Sequence, residues 1–323
     1  MIRRPPRSTQ SRSSAASDVY KRQDYKCLLM NNFILFIVTL FCWSPTWYVI
    51  KFQLGYVDPL VSVFYRFLIA AIIIFVYLIY KKKNLKFSLN QHLWFLLFGI
   101  CLYSLNYVFF YLSNTYLISA FPAVVFSTVV IMNILGEGFY FKKKPSLKTL
   151  LGATIGMIGI IIIFSDEIFN FSLANGTHIG LFLALLGTFC ASTGNMVYQR
   201  NLNNNFSLIP TLAYAMLYGS LVTLFITQIK GAELLFEYSF SYIASLAYLS
   251  IVGSIFAFIF YLRLLEKVGA GRAGYVGVVM PVLALLISTV FENLEWQQDL
   301  IIGLPILIIG AVLVINQKIK PIK

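Results

Sequence analysis

One arginine lies inside a long apolar run: Arg66, in PLVSVFYRFLIAAIIIFVYLIY. A charge in hydrocarbon is costly and normally faces a cavity or a partner. Six residues into a helix places it about 9–10 Å deep at 1.5 Å per residue. The chemistry this suggests is recognition: a cationic anchor for a substrate carboxylate. The plainer role is snorkelling to the headgroups, or a tie to a neighbouring carbonyl. Asn106 and Tyr107 fall at a similar depth in the third apolar run, and Trp43 and Trp47 lie in the first. With Arg66 they would make an aromatic pocket holding a few polar groups, which suits a small molecule. Ser192 and Asn195 offer similar groups in the sixth run. The ordinary alternatives are interfacial anchoring for Trp and helix-to-helix bonding for Asn. Pro281 removes a backbone bond within the ninth run, and with Gly277 nearby it is a candidate hinge.

Catalytic patterns are missing from the sequence. An intramembrane protease needs paired aspartates, a Ser/His pair or HExxH on its spans. His92 and His178 are far apart near run ends, and there is no phosphate-binding loop. The four cysteines (Cys27, Cys42, Cys101, Cys190) have no CxxC spacing and read as small apolar residues. No metal or cofactor is expected. Glu137 and Glu292, at run ends, are the nearest candidates for proton coupling; a solvated interfacial carboxylate is the plainer reading of both.

The elements that must position these residues are membrane helices. Hydrophobic residues make up 59% of the 323 and charged residues 11%, with a mean hydropathy of +0.81. A soluble fold could not hide that much apolar surface, whereas lipid solvates it. Runs long enough to span occur at 33–50, 60–80, 93–112, 117–135, 147–165, 177–197, 209–228, 241–262, 272–291 and 300–316. The formal charge of +13 does not indicate nucleic acid, because the basic residues sit in short clusters between these runs. One set of loops carries Lys81, Lys82, Lys83 and Lys86, then Lys142, Lys143, Lys144 and Lys148, then Arg200, Arg263, Lys267 and Arg272, and finally Lys318, Lys320 and Lys323. The alternate loops carry Lys51 and Lys230 with most of the acidic residues. That bias predicts cytoplasmic termini.

The halves repeat. Phe41-Cys42-x-Ser44 matches Phe189-Cys190-x-Ser192, Pro59 matches Pro210, and Glu137 matches Glu292. Leu151-Gly152 with Gly159 matches Ile302-Gly303 with Gly310. Five spans per repeat is odd, so the second repeat is expected to enter inverted, a device of secondary transporters.

The chain resembles the drug/metabolite transporter superfamily, EamA type. The resemblance rests on Trp43-Ser44, Asp58-Pro59, Tyr65-Arg66-Phe67, Gly253-Ser254, Tyr261-x-x-Leu264, and Gly269-Ala270 through Pro281-Val282-x-Ala284 to Phe291-Glu292, Gly303 and Gly310. It implies a ten-helix permease or exporter of small metabolites, often amino acids or related compounds, in a bacterial inner membrane. One departure is that Phe126 stands in the fourth run where the ninth has Pro281; Pro122 comes about one turn earlier.

The expected organisation is therefore all-α and polytopic: a leader over 1–29, a first five-helix repeat over 30–165 and a second over 166–323 ending in a short basic tail. The leader is Arg- and Ser-rich without an apolar core, which excludes a secretory signal. A transit peptide fits it loosely; translated vector or adaptor sequence ahead of Met30 fits better, and disorder is expected. The expected partners are a small-molecule substrate and the lipid bilayer, with a homodimer as one arrangement and nucleic acid as none. The expected function is a non-enzymatic metabolite transporter working by alternating access. The alternative is an intramembrane enzyme, receptor or assembly factor.

Overall fold

The computed structural model describes residues 32–142, 147–163, 165 and 176–315. The 1–29 leader, Lys143, Lys144 and the basic tail from Lys318 lie outside them. All regular structure among the described residues is helical. The helices are α1 (Asn32–Gln53), α2 (Pro59–Tyr80), α3 (Leu89–Ser113), α4 (Phe121–Phe141), α5 (Leu147–Ile163), α6 (Thr177–Asn203), α7 (Leu208–Lys230), α8 (Phe240–Val268), α9 (Ala270–Phe291) and α10 (Gln298–Ile315). Each apolar run coincides with one of them. Eight are long and apolar enough to cross a membrane, and α5 and α10 are the shorter two.

Local chemistry sets the ends. Asp58 caps α2 by accepting from the Leu60 N–H at 2.8 Å, and Pro59 fills the first helical position, where no N–H is needed. Ser88 and Gln91 form a reciprocal capping box on α3. Gly231, left-handed at φ +73°, closes α7. Large apolar side chains such as Phe139, Phe182, Phe225 and Val290 point outward, as a lipid-facing surface requires.

Packing between the halves is close. On α5 and α10, a Cβ at Gly159 would lie 2.5 Å from the Leu307 nitrogen, and one at Gly303 would lie 2.7 Å from the Gly159 carbonyl oxygen. Only glycine allows that approach. Two helices change pitch mid-span: α3 is π-helical over Gly99–Leu105 and α8 over Ile251–Phe256. Each is the third helix of its half. The wider turn leaves carbonyls without the usual helical partner, and such segments favour functional positions.

Candidate functional site

The first helix breaks where the sequence reads Trp43-Ser44-Pro45-Thr46-Trp47. Proline has no N–H to continue the ladder, and the helix resumes at Thr46. The Ser44 hydroxyl donates to the Leu40 carbonyl at 2.8 Å, and the Thr46 hydroxyl to the Trp43 carbonyl. The Leu40 carbonyl also takes the Ser44 N–H at 2.9 Å, so Ser44 holds the last turn before the break with both its donors. Trp43 and Trp47, four residues apart, then share a face and line one cavity.

That cavity takes in about 550 Å³, open solvent at its mouth included, and is mostly apolar. Its walls come from α1, α3 and α4 of the first half and α6, α8 and α9 of the second. Trp43 packs at 4.9 Å from both Phe258 and Tyr261, and Trp47 meets Phe110 edge-on at 5.0 Å. Both indole N–H groups are committed: Trp43 donates to the Gly253 carbonyl at 3.0 Å, and Trp47 to Met280 Sδ at 3.3 Å. The Gly253 carbonyl belongs to the π segment of α8.

Arg66 is fully buried, one layer behind the cavity wall. Its Nε donates to Ser254 Oγ at 2.9 Å and its Nη2 to the Gly253 carbonyl at 3.2 Å. The guanidinium carbon lies 4.5 Å from the centre of the Tyr107 ring, and Nη1 reaches Tyr111 at 3.5 Å. Among the described residues no carboxylate pairs with it. The charge therefore rests on π-segment oxygens and an aromatic face, which is a cation–π arrangement.

Five of the residues singled out from sequence meet at the cavity: Trp43, Trp47, Asn106, Tyr107 and Asn195. Ser192, buried on α6, stands beside the lining rather than on it. Gly277 is packed against α4, where a Cβ would come within 2.9 Å of Val129. Pro281 is buried inside α9, next to the cavity residue Met280. The interruption of α9 falls nearly two turns earlier, at Gly274 and Tyr275.

Glu292 follows the last residue of α9, and Glu137 lies about a turn before the end of α4. Glu292 pairs with Lys51 and accepts from Ser119, just before α4, and from Ser288 at 2.5 Å. Its side chain is largely buried in this ion pair, unlike the solvated carboxylate expected. Burial pushes its pKa up, but hydrogen bonds from Lys51, Ser119 and Ser288 outweigh that and hold it below the usual range. Glu137 lies beside Gly269 and Gly271, where α9 begins. Each carboxylate thus sits against the start of the other half's fourth helix, where helix N–H groups favour negative charge.

Sequence reasoning missed the role of Gly253 and of the π segments. It also missed Asn133, which accepts from Asn195 at 3.3 Å and donates to the Ala270 carbonyl at 3.1 Å. Glycine inside an apolar helix, at Gly99 and Gly253, was the available signal.

The fold and the cavity define an integral membrane protein whose helices surround an apolar, aromatic-walled cavity. A family model described as the EamA-like transporter family matches residues 31–165 and 178–316. The chain belongs to that family, and the doubled match coincides with its two halves. It is 27% identical over 288 residues to the uncharacterized inner membrane transporter YedA of Escherichia coli, covering 87% of this chain and 88% of that one. It is 22% identical to an uncharacterized transporter of Archaeoglobus fulgidus, covering 90% of this chain and 100% of the relative. It is 23% identical to the uncharacterized transporter YoaV of Bacillus subtilis, covering 84% and 90%. A solved crystal structure, 16% identical, shares the fold with a TM-score of 0.67 over 87% of this chain and 94% of that one.

Proposed function

We propose that the protein is a secondary-type permease or exporter of a small metabolite, of the size of an amino acid or related compound, working by alternating access between two inverted five-helix repeats. The observation that carries this reading is the origin of the cavity walls: helices one, three and four of each half contribute, so both halves must hold any ligand at once. The reciprocal placement of Glu292 and Glu137, and a π segment in the third helix of each half, support an inverted pseudo-twofold relation. The basic loops support ten spans with cytoplasmic termini in an inner membrane. Trp43, Trp47, Asn106, Tyr107 and Asn195 form the binding surface. Arg66 is a positioning residue that backs Tyr107 and fixes the carbonyl holding Trp43. The Lys51–Glu292 pair closes the outer end, and α9 flexes across Gly274, Gly277 and Pro281.

Proteoliposomes test this. Purified protein should give saturable uptake accelerated by internal unlabelled substrate. Flux that neither saturates nor shows counterflow would indicate a channel or a non-transport role.

A further inference from the structure

The polar atoms on the cavity wall are not evenly divided between donors and acceptors. Most donors there are already used: the indole N–H groups of Trp43 and Trp47, the Thr46 hydroxyl, and one of the two side-chain N–H groups of each of Asn106 and Asn195. The amide orientations are fixed by their partners. Asn106 Nδ2 donates to the Leu102 carbonyl at 3.2 Å, so that end must be nitrogen. Asn133 donates to the Ala270 carbonyl, so its oxygen faces Asn195, which must present nitrogen in turn. The amide atom left with no partner at all is, in each residue, the oxygen. Asn106 Oδ1 and Asn195 Oδ1 are buried without a hydrogen-bond partner, in residues 5% and 2% exposed. Tyr261, also on the wall, places its hydroxyl beside the Asn195 and Asn133 amides and can donate or accept. Buried acceptors left bare are unfavourable, and a ligand that satisfies them gains accordingly.

Resting on the reading of this cavity as the transport site, we infer that its ligand is recognised through N–H groups: a primary or secondary amine or amide on a flat, apolar, ring-sized body. The aromatic walls take the body, and the oxygens of Asn106 and Asn195 take the N–H donors. A carboxylate is not what this cavity reads. It would meet those oxygens as another acceptor, and the cation Arg66 lies off the lining, behind Tyr107 and bonded to Ser254 and Gly253. A quaternary ammonium has no N–H to give.

The test is calorimetric titration of the full chain in detergent with four compounds sharing one indole ring system: tryptamine, its trimethylammonium analogue, indole-3-acetate and 3-ethylindole. Tryptamine should bind at least tenfold more tightly than the other three. Asn106→Leu and Asn195→Leu should each weaken tryptamine about tenfold and leave 3-ethylindole unchanged. Asn106→Asp and Asn195→Asp, which keep an acceptor, should retain tryptamine binding, so loss through misfolding is told apart from loss of the acceptor. Equal or tighter binding of indole-3-acetate, or tryptamine binding unaffected by both Leu variants, would overturn the inference. Titration requires no flux. Tight amine binding without counterflow sinks the transport reading alone, and counterflow of acids with no amine preference sinks this one alone.

Discussion

Replacing Arg66 by methionine separates a brace from a bond to substrate. The guanidinium has three protein partners, and each keeps another bond when it is gone. Ser254 Oγ still donates to the Leu249 carbonyl at 2.9 Å, the Gly253 carbonyl still accepts from Trp43, and Tyr111 still donates to Gln53 at 2.7 Å. No buried group is orphaned. The lost interactions are two good charged hydrogen bonds, about 1.5–3 kcal/mol each, and a desolvated cation–π contact of about 2 kcal/mol. Against them stands the removal of a buried charge, whose effective desolvation penalty is itself several kcal/mol. The difference comes to roughly 1–2 kcal/mol of stability, since methionine fills much of the same space. Arg66→Ala should be worse by about 2 kcal/mol, because it also leaves a cavity. Ligand affinity should respond differently. A Tyr107 ring that has lost its cationic backing, worth about 2 kcal/mol, should weaken binding some 30-fold. Arg66→Lys should not restore it, because an ammonium cannot span Ser254, Gly253 and the ring face together. The assays are thermal unfolding in detergent and titration of a bound ligand on the same preparation. Arg66→Met that unfolds outright would refute the claim that its partners are independently satisfied. Unchanged affinity would refute the bracing role, and loss confined to carboxylate-bearing ligands would return Arg66 to direct anchoring.

Two further outcomes are expected. With the native cysteines replaced, single cysteines from Lys83→Cys and Glu295→Cys should react with a membrane-impermeant thiol reagent from opposite sides in sealed cells and inverted vesicles; labelling from one side would refute the ten-span count. Glu292, whose pKa is held below its ordinary value by Lys51, Ser119 and Ser288, should stabilise the protein at and above the usual carboxylate range and lose that contribution as pH falls through its depressed value. The difference in melting temperature between the wild type and Glu292→Gln should stay constant from about pH 8 to pH 5 and begin to shrink only as pH falls below the ordinary carboxylate range, about pH 4; a difference already gone by about pH 6 would show that the pair does not hold the carboxylate ionised.

Most of the architecture was legible because hydrocarbon solvent imposes long apolar runs and confines charge to loops. Those two patterns placed every helix described. The site was legible where its chemistry is local: Trp43-Ser44-Pro45-Thr46-Trp47 encodes both the break and the paired indoles, and Asn106-Tyr107 stands out in an apolar run. Arg66 stood out for its cost in lipid, and its partners did not. They are Gly253 and Ser254, on another helix and 187 and 188 residues away.

Backbone carbonyls carry no sequence signature, and the π pitch that exposes them is marked only by a glycine, Gly99 in α3 and Gly253 in α8. This limits what residue types can reveal about a membrane site. In water a buried arginine usually calls for a carboxylate, and a carboxylate can be sought in the sequence. Here the charge is met by oxygens of the helix itself and by an aromatic face, so the partner set shows only a glycine and a serine. The same exchange leaves the cavity free of formal charge on its lining, with the oxygens of Asn106 and Asn195 as its vacant polar groups. On the reading we propose, the residue that looked most like a ligand contact works through the wall, and the amides singled out beside it carry the recognition.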